Sequence, residues 1–190
     1  MSDTRRVDLA ALAPQRWRNG AGVTREIAVG GAATRFDWRL SVAEVEQDAP
    51  FSPYPGVDRG IVVMRGAGMT LCDEAGATVH ELQPLMPWHF AGERPLQARL
   101  PHGPCQDFNV MTRRGAWQAQ LQVVRGAATV APDEVVLLLV ARGRWWLDGD
   151  HFMPGQGLLR QGAGAPIAAR ASEGGDDALL QVRLRPVARP

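Results

Sequence analysis

The 190-residue sequence contains no lysine, and all 21 of its basic residues are arginines. Schiff-base chemistry and P-loop phosphate binding, which both need a lysine amine, are therefore excluded. The 20 acidic residues almost balance the arginines, and the formal net charge is +1. A nucleic-acid partner is not expected, because such proteins need a basic surface that replaces the counterions of the phosphates.

Long apolar segments are also missing. The longest run, VVLLLVA at residues 135–141, is far shorter than the roughly 20 residues of a membrane helix. The segment MSDTRRVDLAALAPQRW has no apolar core long enough for a signal peptide. We therefore expect a soluble, cytoplasmic protein without a membrane partner, in which Cys72 and Cys105 are reduced core residues.

Nucleophilic catalysis finds little support in the sequence. Only four serines occur, and none lies in a G-x-S-x-G motif. Neither cysteine has a nearby cue for a histidine partner. No catalytic residue is therefore predicted.

Glycine (21) and proline (14) divide the chain into short segments that mostly have strand character. In FDWRLSVAEV (36–45), apolar and polar residues alternate with the period of a half-buried strand. Helical periodicity is weak, and only residues 8–15 favour a turn or two of helix. The pattern predicts an all-β protein.

The second half of the chain resembles the first. A strand, an Arg-Gly pair and a second strand occur around Arg65-Gly66 and again around Arg142-Gly143. Such a repeat indicates two β-sandwich or β-barrel modules from an internal duplication. We predict one module at residues 1–125, with the N-terminal segment completing it, and a second at residues 126–190.

Four segments resemble the HutD/Ves family: WRNGAGVTREIAV (17–29), FDWRLSVAEV (36–45), DAPFSPYPGVDRGIVVMRGAGMTL (48–71) and GPCQDFNVMTRR (103–114). Ala21 stands where the family usually has a glycine. The resemblance implies a bicupin fold, two RmlC-like β-barrels in one chain. It also implies an association with bacterial histidine utilisation or stress responses, and a small anionic ligand such as urocanate or a formylated glutamate.

Metal-dependent cupins use a His-x-His pair, a Glu and a later His as ligands. The position of that Glu, seven residues before the turn glycine Gly66, is occupied by Arg59, and residues 52–55 contain no histidine. A guanidinium repels a cation and binds a carboxylate. One histidine, His89, and one acid, Glu93, remain, which is fewer than the three protein ligands of a catalytic site. We predict no metal and no cofactor.

Several polar residues of the family-like segments are candidates for ligand binding. Each has a second interpretation that the sequence leaves open, as a turn residue or as part of a solvent-exposed strand face. Asp58 is expected to orient the neighbouring guanidinium of Arg59. The complete set of predicted ligand-binding residues is Asn19, Thr24, Arg25, Arg39, Ser41, Asp58, Arg59, His89, Asp107, Asn109 and Arg113.

The favoured function is binding of a small carboxylate, with weak or no catalysis, by an accessory or regulatory factor in histidine catabolism. The first alternative is a metal-independent cupin isomerase or hydrolase that uses a Glu or His as general base. The second is a scaffold with a vestigial pocket. A homodimer is compatible with the sequence.

Overall fold

The computed structural model describes residues 3–32, 35–172 and 175–188. Within them the chain is almost entirely β-structure, as predicted. The strands are β1 (Asp3–Asp8), β2 (Gln15–Arg16), β3 (Gly22–Ala32), β4 (Arg35–Val45), β5 (Ala49–Pro50), β6 (Val57–Arg65), β7 (Met69–Cys72), β8 (Thr78–Leu82), β9 (Trp88–Ala91), β10 (Gln97–Arg99), β11 (Cys105–Arg113), β12 (Trp117–Val124), β13 (Ala127–Val130), β14 (Val135–Arg142), β15 (Trp145–Leu147), β16 (Asp150–Phe152), β17 (Gln156–Gln161), β18 (Ile167–Ala171) and β19 (Ala178–Pro186).

The predicted helical turn between residues 8 and 15 is a single 3-10 turn, Leu9–Ala11. Asp8 stabilises its start, because Oδ1 accepts a hydrogen bond from the backbone N–H of Ala10 at 3.0 Å. No helix in the described residues is long and apolar enough to cross a membrane. Cys72 and Cys105 are buried and form no disulfide, which confirms that both are core residues.

The chain divides into two compact units. The central unit comprises Leu12–Ala116, and the terminal unit comprises the residues up to Ala11 together with those from Trp117 onward. This division differs from the predicted boundary at residue 125, because β12 already pairs along its whole length with β19. The N-terminal segment, predicted to complete the first module, instead belongs to the terminal unit, where β1 pairs with β17.

Two antiparallel sheets form the central unit. The six-stranded sheet has the order β2-β3-β4-β11-β6-β9, and the four-stranded sheet has the order β5-β10-β7-β8. An apolar cluster takes side chains from both sheets, among them Ile61 and Val63 from β6, Leu71 from β7 and Ala98 from β10. The two sheets therefore face each other across this cluster.

The terminal unit repeats this arrangement. Its larger sheet has the order β1-β17-β14-β19-β12 and its smaller sheet β13-β18-β15-β16. In the larger sheets of the two units, the order β12-β19-β14-β17 corresponds to β4-β11-β6-β9. In the smaller sheets, the order β18-β15-β16 corresponds to β10-β7-β8. Gly66 and Gly143 occupy matching turns with positive φ, 96° and 75°, a backbone conformation that glycine adopts without steric cost. The repeat seen in the sequence is thus present in the strand order.

Candidate functional site

A cavity of about 440 Å³ opens within the central unit. One wall of the cavity is the part of the six-stranded sheet that carries polar side chains on its inner face. On β11, Asp107, Asn109 and Met111 point into it, because alternate residues of a strand share a face. On the neighbouring strand β4, Arg39 pairs with Met111 and Ser41 pairs with Asn109, so that both also line the cavity.

Strand β4 explains how polar residues come to be enclosed. Its apolar residues Trp38, Leu40 and Val42 are buried on one side. The polar face, which the sequence pattern alone would favour as solvent-exposed, carries Arg39 and Ser41 and lines the cavity. Both faces of β4 are therefore covered.

Arg59 of β6 is the central side chain of the cavity and is only 7% exposed. Its Nη2 donates to Oδ1 of Asn109 at 2.8 Å, and its Nη1 makes a long contact of 3.5 Å with the carbonyl oxygen of Ser52. Its buried Nε has no hydrogen-bond partner in the described structure. Because a guanidinium carries five N–H donors, most of the hydrogen-bonding capacity of Arg59 is unused.

Three aromatic rings surround this guanidinium. Its Cζ lies 4.9 Å from the ring centroid of Phe90, 5.0 Å from that of Phe51 and 5.7 Å from that of Tyr54. These distances allow cation–π attraction, which fixes the position of the cation while leaving its N–H groups available. The rings also help to shield the guanidinium, which is only 7% exposed, from solvent.

Asp107 is the deepest polar residue of the site and is 1% exposed. Its Oδ1 accepts a hydrogen bond from Nδ2 of Asn109. Burial raises the pKa of Asp107 to about 7, although the charge of Arg59 and the hydrogen bond from Asn109 both act to lower it. Burial also lowers the pKa of Arg59 to about 10, which leaves the guanidinium charged at neutral pH.

The mouth of the cavity is built by residues 15–19 and by β3. Nε1 of Trp17 donates to Oγ1 of Thr24 at 2.8 Å, and Asn19 Oδ1 accepts from the backbone N–H of Ala21 at 3.1 Å. Arg39 is held by Glu26, whose Oε2 lies 2.8 Å from its Nε. Four arginines line the cavity, Arg16, Arg18, Arg39 and Arg59, against the single acid Asp107. Arg16 and Arg39 are paired with Glu46 and Glu26, which offsets part of the positive charge of the cavity.

Comparison with known proteins shows the family to which the chain belongs. A family model described as HutD matches residues 9–175 of the chain. Protein Ves from Cronobacter sakazakii is 34% identical over 168 residues, which cover 88% of this chain and 92% of that protein. The chain belongs to the HutD family.

Solved structures support the same relationship. HutD from Pseudomonas fluorescens matches with a TM-score of 0.86 at 26% identity, covering 98% of this chain and 100% of that one. Protein Ylba from E. coli matches with a TM-score of 0.69 at only 10% identity, covering 99% of this chain and 92% of that one, so this likeness concerns the fold alone. The HutD-family chain thus has an all-β, cupin-like fold.

The structure brings seven of the predicted ligand-binding residues to the cavity wall: Asn19, Thr24, Arg39, Ser41, Arg59, Asp107 and Asn109. Their side chains come from separate strands and one loop. Asn19 also keeps the turn role described above, since its amide oxygen binds the backbone. Asn19 therefore has the turn role and also lies at the cavity wall.

Four predicted residues lie elsewhere. Nη1 of Arg25 pairs with Oε1 of Glu44 at 2.5 Å, and Arg25 alternates with the cavity residue Thr24 along β3, so that it lies on the opposite face. His89 is exposed and packs beside Gly60, whereas its neighbour Phe90 contacts Arg59. For both residues the strand alternation places the side chain outside the cavity.

The remaining two are engaged in ion pairs. Asp58, expected to orient Arg59, instead accepts a hydrogen bond from Nε of Arg114 at 2.7 Å, and Asn109 orients Arg59 in its place. Arg113 shares the face of Asn109 but lies beyond Met111, where its Nη2 pairs with Oδ1 of Asp37 at 3.0 Å.

The set of predicted ligand-binding residues did not include the Phe, Tyr and Trp residues of the cavity or most of the residues at its mouth. Phe51, Ser52 and Tyr54 line the cavity from an irregular segment that periodicity cannot assign to a face. The sequence nevertheless indicates that this segment lies at the site, since residues 52–55 occupy the positions at which metal-dependent cupins carry histidine ligands. Trp17 was also missed, although it begins a family-like segment.

The divalent metal that many cupins carry does not fit this cavity. Among the described residues that line it are four arginines, and Asp107 is the one His, Cys, Asp or Glu among them. Elsewhere in the described part of the chain, no group of three His, Cys, Asp or Glu side chains lies close enough to hold a metal. The residue set is suited to an anion.

Proposed function

We propose that the cavity binds a small carboxylate through Arg59. The observation that carries this proposal is a buried, charged guanidinium in the cavity lining, whose Nε has no hydrogen-bond partner in the described structure. Unpaired buried donors cost free energy, and an anionic ligand would satisfy them. A carboxylate matches the planar arrangement of guanidinium N–H groups in bidentate fashion.

Electrostatics around Arg59 support the same ligand class. In the described residues no carboxylate forms an ion pair with Arg59, whereas Arg39 is paired with Glu26. A further arginine at the mouth, Arg18, would attract an anion from solution, whereas the charge of Arg16 is partly offset by Glu46 at 4.0 Å. A neutral molecule of the same shape would gain little from these charges.

The physiological role follows from the family, and it too is a proposal. We expect an accessory or regulatory factor in histidine catabolism, with a ligand that resembles urocanate or formylglutamate. A cytoplasmic location fits this role. For the fold, we propose that each unit is a cupin barrel and that an internal duplication produced the pair; the repeated strand order supports this bicupin interpretation.

Calorimetric titration with N-formylglutamate and urocanate, beside their neutral amides, tests the proposal. The acids should bind and the amides should not. Arg59→Met should weaken binding by roughly tenfold to a hundredfold, because one charge-assisted hydrogen bond contributes about 1.5–3 kcal/mol. The matched control is Arg113→Met, which removes a guanidinium from the same sheet face but outside the cavity, and should retain binding.

If Arg59→Met does not fold, Arg39→Met provides a second test at the same cavity, with a smaller loss of affinity expected. Equal affinity for acids and amides, or unchanged binding in both variants, would contradict the proposal. A complete lack of binding by all the acids would favour the vestigial scaffold.

A second candidate is a metal-independent isomerase or hydrolase that acts on a small acid. The general base suggested by the sequence is a Glu or His, but the lining residues that the structure describes include neither type. Asp107, with its pKa of about 7, is suited to acid–base catalysis near neutral pH. Turnover of a bound acid, followed by NMR and abolished in Asp107→Asn, would establish this alternative.

A further inference from the structure

The charge of Arg59 is balanced from within the protein by one buried carboxyl. Asp107 reaches Arg59 through a single amide: Asn109 accepts from Arg59 and donates to Asp107. Asp107 also adjoins the apolar cluster, since it pairs with Val63 and is preceded on the same face of β11 by Cys105. At the buried end of the cavity, one guanidinium and one carboxyl therefore lie close together and are largely shielded from solvent.

Few other charged or titratable groups face Asp107. The four-stranded sheet packed against this region presents apolar side chains such as Leu71 and Ala98. The titratable and charged groups around the acid are Arg59 on β6, Arg39 with its partner Glu26 on β4 and β3, Tyr54 in the irregular segment, and Cys105 on β11 itself. None of them is a second cation in contact with Asp107.

We infer that the cavity binds its carboxylate together with one proton, which is taken up by Asp107. The inference rests on the proposed function, since it describes how the same site responds to its ligand. The bound carboxylate accepts hydrogen bonds from the free N–H groups of Arg59. A proton from solution forms an O–H bond on the carboxyl of Asp107. No other bond forms or breaks, and the net charge of the site is conserved.

The physical reason is that two carboxylates close to one buried guanidinium repel each other, and each disfavours the ionised form of the other. An anion bound to Arg59 takes over the role of counter-charge and disfavours the ionised form of Asp107. Protonation of Asp107 costs little free energy near neutral pH, because burial has already raised the pKa of Asp107 to about 7 in the free protein. Ligand binding raises that pKa further.

Binding should therefore depend on pH with a defined sign. Below about pH 7 Asp107 already holds its proton, and the affinity is nearly constant. Above that pH each complex must take up a proton, so the dissociation constant rises about tenfold per pH unit. The protein would then respond to an organic acid more strongly when the surrounding solution is acidic.

Titration calorimetry in two buffers with different ionisation enthalpies measures the proton directly. The probes are N-formylglutamate and acetate, whose carboxyls are mostly ionised in this pH range; urocanate is avoided because its imidazole also titrates. At about pH 8 we expect an uptake close to one proton per complex, and at about pH 5.5 an uptake near zero. The full-length chain is used throughout.

Two variants assign the proton to its residue. Asp107→Asn should bind without proton uptake, and its affinity should not change with pH. Asp133→Asn, which removes a partly buried acid of the terminal unit, should retain the uptake of the unchanged protein. If Asp107→Asn does not fold, the slope of the dissociation constant against pH in the unchanged protein still decides the question.

Each outcome either supports or overturns the inference. Binding with the same heat in both buffers at pH 8, or an uptake that persists in Asp107→Asn, overturns the proton linkage while leaving the carboxylate site intact. No binding of either probe at any pH overturns both proposals. Uptake of about one proton that is lost only in Asp107→Asn supports the linkage.

Discussion

Arg59 and Asp107 are buried in one cavity, and Asn109 connects them: its Oδ1 accepts from Arg59 at 2.8 Å while its Nδ2 donates to Asp107. An amide can satisfy a cation and an anion at the same time, because it carries both an acceptor and a donor. The arrangement holds Arg59 in place without neutralising it directly. The N–H groups that Asn109 does not use remain free for an anion.

Replacing the connecting amide by a carboxylate tests this relationship. In Asn109→Asp the new acid would lie beside Arg59 and pair with it directly, so we expect carboxylate affinity to fall by at least tenfold. The control is Gln106→Glu, the corresponding amide-to-acid change on the opposite face of β11. Calorimetry should show the loss only in Asn109→Asp; equal affinities in both variants would contradict the arrangement.

Strand periodicity predicted much of this site. In DFNVMTRR (107–114) the period of two puts Asp107, Asn109 and Met111 on one face of a strand, and the three residues line the cavity together. The same rule could have excluded two wrong candidates, because Arg25 directly follows Thr24 and Asp58 directly precedes Arg59. Adjacent strand residues point to opposite sides, so neither pair can share the cavity.

Other features depend on partners that are distant in the chain. The environment of Arg59 combines Phe51, which precedes its strand, with Phe90 of β9, which follows it. No local pattern indicates that these rings meet the guanidinium. The N-terminal strand β1 likewise pairs with β17, a long-range register that the apolar pattern of residues 3–8 does not encode.

Glu26 limits the positive charge of the cavity through its ion pair with Arg39. Glu26→Gln should release that charge and tighten carboxylate binding by about twofold to tenfold, with a steeper dependence on salt. Glu44→Gln is the matched control, because Glu44 pairs with Arg25 on the other face of the sheet. Affinity that does not change in Glu26→Gln at low salt would argue against electrostatic attraction.

His89 and Phe90 provide a test of the face assignment with two neighbouring residues. Phe90→Leu removes a ring 4.9 Å from the guanidinium of Arg59, and we expect binding to weaken by roughly twofold to fivefold, in line with the strength of a cation–π contact. His89→Ala should leave the affinity unchanged, since His89 is exposed outside the cavity. A large loss of affinity in His89→Ala would indicate that His89 contacts the ligand.

The ligand-free protein should lose stability as the pH rises towards neutrality because of Asp107. Its pKa in the folded state, about 7, lies above the ordinary value of 3.8. Between these values the folded chain retains a proton that the unfolded chain has released, so the contribution of Asp107 to the free energy of unfolding falls with rising pH and levels off above about pH 7. In Asp107→Asn this contribution is absent. Melting temperatures measured from about pH 5 to pH 8 should therefore decline more steeply in the unchanged protein than in Asp107→Asn. Parallel profiles for the two proteins would mean that Asp107 is not protonated in this range, and the proton-linked binding inferred above would lose its physical basis.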